Sequence, residues 1–468
     1  TGVGDANTFA LFTEHACSIT GRSGRLGMVV KTGIATDYTW KDFFENLVES
    51  RVICSLFDFE NRKLLFPDVA PVERFCLLTV CGKDESQPVS DFAFLLTDTD
   101  QLVDPERRIT LTPAEIALIN PNTKTIATFQ TRKDAELVIS VYKRWPVLID
   151  EDNGKNPWNI ECLTMIHMTA DTAIFQNNTR ETLEEKGFIL GSDGGFSGGN
   201  ERYLPLWEAK FLNLLDHRFA SFDETSPERR LRRRAGTNLL TTEQKQNPEY
   251  EIIPRYWVSE RDFLAKVKEC SWDHKWAFAF RNVTRMTTDT RSSMGTIIPW
   301  VPMGNSASVL LFRGKNPAND ALLFTGIFTS IVFDYVLRQK IGGTNLNAFI
   351  LKQLPAPIPD DLYQGTIARA GLIERASTYL GCRLIRLLWT SRSLDPFAKE
   401  TGYEGGPFVW DDQKRFQLRY SVSLGRNLPT FWIPLEYFET KTYRYMERSR
   451  RKTSCSRNTI GLRYFYQQ

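Results

Sequence analysis

The first hundred residues confine the chain to few folds, because four short runs dense in apolar side chains are separated by a single amphipathic helix. Arg25 to Thr32 is continuous and apolar, as buried strands are. Asp37 is placed to cap a helix running to about Ser50, with Trp40, Phe43, Phe44, Leu47 and Val48 on one face. Val52 to Phe59 and Phe75 to Cys81 read as two further strands, and Phe92 to Leu96 as another. Strand, helix, strand and then a hairpin-like pair is how a Rossmann-like α/β sheet ends. Residues 1–100 are therefore expected to be the closing part of such a sheet.

After residue 100 the pattern turns helical. Thr112-Pro113-Ala114-Glu115 has the spacing of a capping box with Pro at the first helical position, and Asp134 to Lys143 is a second expected helix. Gly191 to Gly199 carries five glycines in nine positions and reads as a flexible linker, which sets a domain boundary there. Residues 221–250 are rich in charge and include Arg229, Arg230, Arg232, Arg233 and Arg234. This segment is either a solvated surface loop or an arm that contacts phosphates. Trp257, Trp272, Trp276 and Phe278 announce a second core, and Phe328 to Lys340 reads as the continuation of a long helix.

Bulk properties exclude more than they assign. With 468 residues the chain exceeds the size at which one core stops growing, so two or three domains are expected. Net charge is only +3, from 59 Lys and Arg against 56 Asp and Glu, so any case for nucleic-acid binding needs local clusters. The longest apolar stretch, Ala321 to Phe333, falls short of the ~20 residues that cross a bilayer, and is expected to be a buried helix. Eight scattered Cys and four His without paired spacing argue against a metal site and for reduced thiols in a cytoplasmic setting. The absence of an initiating Met at Thr1 leads to the expectation of a fragment.

Several blocks carry a family resemblance. Gly4-Asp5-Ala6-Asn7-Thr8-Phe9-Ala10-Leu11-Phe12, Gly24 to Val30, Phe57-Asp58-Phe59-Glu60-Asn61-Arg62, Tyr203 to Lys210, Pro254-Arg255-Tyr256-Trp257-Val258, and Phe333 to Thr344 running on through Asn345-Leu346-Asn347 to Pro355 follow one another in order. Together they resemble gamma-class adenine-specific DNA methyltransferases of restriction-modification and phage-defence systems, of the type IIG and BREX kinds. The resemblance implies the order cofactor motif, catalytic Asn-Pro-Pro-aromatic motif, remaining sheet strands, then an α+β target recognition domain. It implies that this chain is the carboxy-terminal portion, with S-adenosylmethionine, double-stranded DNA and a missing amino-terminal catalytic part as partners of the intact enzyme, and no membrane.

Methylating the exocyclic amine of adenine needs a flipped base, acceptors for the amine, an aromatic wall and a bound cofactor. The only string like the catalytic motif, Asn156-Pro157-Trp158, has one Pro and comes too late in the order. No Gly-rich turn follows an early strand and opens a helix, so no cofactor is expected to bind this chain alone. The resemblance places Phe66, in Leu65-Phe66-Pro67, as a wall of the base pocket; the alternative is an ordinary core aromatic. For DNA contact the expected residues are Arg338, Gln339, Lys340, Gly342, Gly343, Thr344, Asn345, Asn347 and Lys352, with the arginines of 229–234. Arg, Gln and Asn suit bidentate base contacts and glycines let a backbone approach phosphate. The same residues also suit a plain helix terminus, with cations complementing the dipole and Gly342 as cap.

The resulting division is 1–100 for the end of the catalytic domain, 101–199 for a connecting helical region with the Gly-rich linker, 200–420 for target recognition and 421–468 for an atypical tail. That tail lacks every family landmark, whereas a shifted reading frame permits several in order, so it is expected to be frame-shifted. Two other classes compete with this reading: a non-catalytic specificity subunit paired with a separate catalytic chain, and a restriction endonuclease module. The first would leave half a sheet with an unpaired edge. The second lacks a clustered acidic and Lys site.

Overall fold

A computed structural model of the chain describes residues 7–232, 235–284, 289, 291–341, 345–369 and 372–423. Arg233, Arg234, Gly342, Gly343, Thr344 and nearly all of the 421–468 tail lie outside the described residues. The fold is mixed α/β. Its first sheet contains β1 (Arg25–Lys31), β2 (Ile53–Glu60), β3 (Arg74–Cys81), β4 (Ser90–Leu96) and β5 (Ile109–Leu111), in the order β1-β3-β2-β4-β5. β3 is antiparallel to both β1 and β2, so β1 and β2 run the same way with β3 inserted between them. β4 adds parallel to β2, and β5 closes the far edge antiparallel.

The crossover between β1 and β2 differs in one detail from the sequence reading. Its helix starts at Lys41, after a short turn at Gly33–Thr36, and Asp37 makes no capping bond. Instead the Asp37 carboxylate fills the space over Gly33, where a Cβ would lie 2.4 Å from it. Phe44, Leu47 and Val48 then bury one face of Lys41–Glu49, as i, i+3 and i+4 spacing requires. The Thr112–Glu115 capping box forms with both reciprocal bonds, and Thr131 caps the helix Arg132–Arg144 in the same way.

Along the rest of the chain the strands are β6 (Ile160–Leu163), β7 (Ile189–Leu190), β8 (Phe196–Gly198), β9 (Glu201–Pro205), β10 (Ala220–Ser221), β11 (Asn238–Leu239), β12 (Trp257–Ser259), β13 (Trp276–Arg281), β14 (Gly295–Pro299), β15 (Ala307–Phe312), β16 (Thr366–Arg369) and β17 (Leu372–Arg375). β14-β13-β15-β6 form an antiparallel sheet buried on both faces. On one face Trp276, Phe278 and Phe280 join a core that reaches from Ala10 to Ala398; on the other Ala277 and Ala279 join a second cluster with Trp207 and Phe211. The approach is close enough to need glycine: a Cβ on Gly295 would lie 2.6 Å from the Phe278 ring.

Two expectations are overturned here. The Gly191–Gly199 segment is no linker, because β7 and β8 form a hairpin that β9 and β12 extend into a sheet. Its glycines are required by packing: Gly194 takes φ +74° and its carbonyl accepts from Trp257 Nε1 at 2.8 Å, while a Cβ on Gly198 would strike the Phe188 ring. The core accordingly does not divide there. The long helix ending at Lys340 is broken into Pro317–Phe328 and Ile331–Lys340, bent by 68°. Ser330 caps the second piece by accepting from the Phe333 amide at 3.2 Å. Among the described residues no single helix is long and apolar enough to cross a membrane; the bent pair passes by length and composition, and its first member is buried along most of its length.

Candidate nucleic-acid interface

The loop from Asn61 to Glu73 joins β2 to β3 and is organised by one buried amide. Asn61 accepts from the Phe66 amide at 3.0 Å and donates to the carbonyls of Phe66 and Val69. That leaves Leu64, Leu65, Phe66, Val69 and Val72 exposed, with Phe66 42% accessible and edge-on to Phe75 at 4.9 Å. Behind the loop Asp58 is fully buried and accepts from Thr32 Oγ1 at 2.6 Å, from the Leu95 amide at 2.9 Å and from Arg74. Residues of β3 and β4, the two neighbours of β2, and one just past β1 thus converge on one carboxylate. Sequence reasoning missed Asp58 as a residue that fixes the loop, although a lone carboxylate between two aromatics, Phe57-Asp58-Phe59, is the signal that finds it.

The end of the helix Ile331–Lys340 departs from the expectation that its cations face outward. The Lys340 ammonium turns inward, donating to the carbonyls of Ile119 and Gln353 at 2.7 Å each and lying 5.0 Å over the Tyr142 ring. Burial holds its pKa well below the ordinary lysine range. Arg338 ion-pairs with Asp334 at 3.3 Å and donates to the Asp289 carbonyl at 2.7 Å. Gln339 is half-buried, and its carbonyl accepts from the Thr128 amide. Asn345 and Asn347 are exposed, and Lys352 pairs with Glu151 at 2.6 Å.

The arginine segment is divided in the same manner. Arg229 and Arg232 are exposed, whereas Arg230 is buried against Glu181 at 2.9 Å. Asn156-Pro157-Trp158 is structural: the Asn156 amide bridges the Ile160 backbone, and the buried Trp158 donates to the Pro357 carbonyl at 2.9 Å.

A corner that the sequence did not single out lies beside the helix end. The antiparallel bridge between Val283 and Asn345 brings the predicted segment against the residues that follow β13. Asp334 holds the other side, accepting from the amides of Ser292 and Ser293 at 2.6 and 2.7 Å and pairing with Arg291 at 3.2 Å. The structure therefore joins Arg338 and Asn345 to the β13–β14 connection.

No protein-family model matches the chain, and no curated protein matches it. Among solved structures, the type IIG restriction endonuclease BpuSI is similar at a TM-score of 0.30 and 12% identity, over 90% of this chain and 50% of that one. The chain spans about half the length of that structure, and a likeness this slight carries no argument about fold or activity here.

Proposed function

We propose that this chain supplies DNA recognition, and one wall of a base pocket, to a site-specific methyltransferase that moves a methyl group from S-adenosylmethionine to the exocyclic amine of adenine in double-stranded DNA. The observation that supports it most is the first sheet, which we read as the closing part of a Rossmann-like sheet. Parallel β1 and β2 are joined through a helical crossover, and β3 returns between them. Among the described residues no strand pairs with the outer edge of β1. Leu11, Phe12, Ile19 and Val29 are exposed on β1 and on the helix that packs against it. An open strand edge beside exposed apolar side chains suits further polypeptide, here the part that carries the cofactor and the Asn-Pro-Pro-aromatic motif.

On this reading the cofactor loop belongs to the part of the enzyme that precedes these residues; the densest glycine run here, Gly191 to Gly199, is a hairpin packed against Trp257. No step is derived through the cofactor. What this chain contributes at the pocket is Phe66, an exposed ring held on a loop fixed by Asn61, able to stack on a flipped base. Sequence selection falls to the exposed polar side chains, Asn345 and Asn347 foremost, with the exposed Arg229 and Arg232 as phosphate contacts.

Calorimetry with S-adenosylmethionine and a methyl-transfer assay on duplex DNA test the division of labour. The chain alone is expected to give neither saturable micromolar binding nor turnover. Both together would show that the catalytic apparatus lies within it and would refute the reading.

A further inference from the structure

The loop that joins β2 to β3 projects from the carboxyl end of β2. Strands β1, β2 and β4 all run toward that end of the sheet, which is where open α/β sheets take their ligands. The loop closes on itself, the Asn61 amide donating to the Glu73 carbonyl at 3.0 Å, and every residue from 62 to 72 is exposed. Its crown, residues 64–72, reads Leu-Leu-Phe-Pro-Asp-Val-Ala-Pro-Val and carries a single ionic side chain, Asp68. A solvent-facing turn ordinarily holds polar residues, so five large apolar side chains this close together mark a surface that another molecule covers.

Leu64 is the sharpest case. Its backbone is left-handed at φ +53°, and its amide donates to the Asn61 carbonyl at 2.8 Å. Glycine or asparagine takes that conformation with less strain, and either would remove an apolar side chain that is 47% exposed. Folding alone therefore gives no reason for leucine here. The Asn61 side chain also holds the Phe66 and Val69 carbonyls, at 2.8 and 2.7 Å, so the crown is a braced structure and not a loose tip.

The chemistry of the crown decides its partner. The cations at its base are engaged with acids: Lys63 with Asp98 at 2.6 Å, Lys31 with Glu73 at 3.0 Å, and Arg62 with Glu60. These pairs suit the crown poorly to phosphates, whereas apolar side chains such as Leu, Phe and Pro are the ones that enter between base steps. A base displaced onto Phe66 would leave a gap in the stack within reach of the side chains beside that ring. We propose that the 61–73 loop is a wedge that enters the base stack of duplex DNA where a base has been displaced, with Leu64 filling the vacated space. The assignment rests on the DNA-recognition reading above and adds to it a contact with the gap, as distinct from the displaced base.

The test uses the full chain, the duplex it enriches from a randomised pool, and the same duplex with each adenine replaced in turn by an abasic nucleotide. Wild type should bind one abasic duplex about ten-fold or more tighter than the intact one, because the gap no longer has to be opened. In Leu64→Asn and Leu64→Gly, both suited to φ +53°, that ratio should fall to within about two-fold of unity, with melting temperatures no lower than wild type. Raising the salt should weaken both affinities and leave their ratio, because an apolar contact releases no counterions. No abasic preference in wild type would overturn the wedge. So would the same preference in both variants, because that pattern belongs to the greater flexibility of gapped DNA. A wild-type chain that dimerises in sedimentation while Leu64→Asn stays monomeric would overturn it too, by giving the crown to a second copy. If nothing is enriched from the pool, the DNA-recognition reading fails and the wedge fails with it. Enrichment without any abasic preference sinks the wedge alone.

Discussion

Two enclosed arginines in this chain face opposite circumstances. Arg218 is completely buried, yet its Nη1 and Nη2 donate to four carbonyls, those of Asn247, Tyr250, Lys245 and Thr390, at 2.7 to 2.9 Å. It ties the segment after β11 to Thr390, two residues past the helix Ala376–Leu388. Nearby, Asp216 and Lys245 pair at 2.6 Å, and a neutral His217, its pKa held down by burial, lies against Ser391 at 2.7 Å. Arg281 is less deeply placed and has a thioether where Arg218 has carbonyls. A cation whose terminal donors all meet the protein's own backbone is structural. One whose Nη1 meets only a thioether gains far less from the fold.

The contrast is sharpened first by stability. Replacing Arg218 by Met leaves four enclosed carbonyls without their donor, so Arg218→Met is expected to lower the unfolding free energy by at least about 3 kcal/mol. Arg281→Met, which strands no acceptor stronger than sulfur, should stay within about 1 kcal/mol of wild type. Denaturant titration of both variants checks this, and equal losses would erase the distinction between them.

Lys340 extends the comparison to pH. Its ammonium meets two carbonyls, but its folded-state pKa lies below the ordinary 10.5. The folded state therefore resists protonation relative to the unfolded chain, and stability rises with pH through the alkaline range up to 10.5. Thermal melts across that range should show the rise in wild type and a flatter profile in Lys340→Met. Parallel profiles would mean that the ammonium is solvated. The smallest expected effect is at Thr284. Thr284→Val removes an enclosed hydroxyl that makes no hydrogen bond, and should stabilise the free chain by roughly 0.5–1 kcal/mol. A destabilised variant would show that the hydroxyl already has a partner in solution.

The sequence made some of this visible for physical reasons. Capping boxes are local, so Thr112 with Glu115 could be read three residues apart, and the strands of the first sheet announce themselves by apolar runs. The break at Thr329 and Ser330 was hidden because the apolar side chains continue across it on both sides. Gly191–Gly199 misled because glycine density signals freedom in a lone segment and close packing when an aromatic such as Phe188 or Trp257 lies over it. The inward turn of Arg338 had a readable hint in Asp334 four residues earlier, whereas the acceptors of Lys340, at Ile119 and Gln353, are far apart in the chain. The Arg281 corner follows a strand that is apolar from Trp276 to Phe280. An arginine closing such a strand, followed at once by Asn282 and then by Thr284, is the pattern that sequence reading could have used.

The claim that this chain recognises DNA by sequence is tested most directly by enrichment of randomised duplexes with the full chain at 50 and then 200 mM salt, concentrations between which purely ionic binding with 6–10 phosphate contacts falls by about 10³–10⁵. The account predicts that one sequence is enriched at both concentrations, since base contacts persist when ion pairing weakens. Binding that disappears at the higher salt with no sequence enriched at either would contradict it.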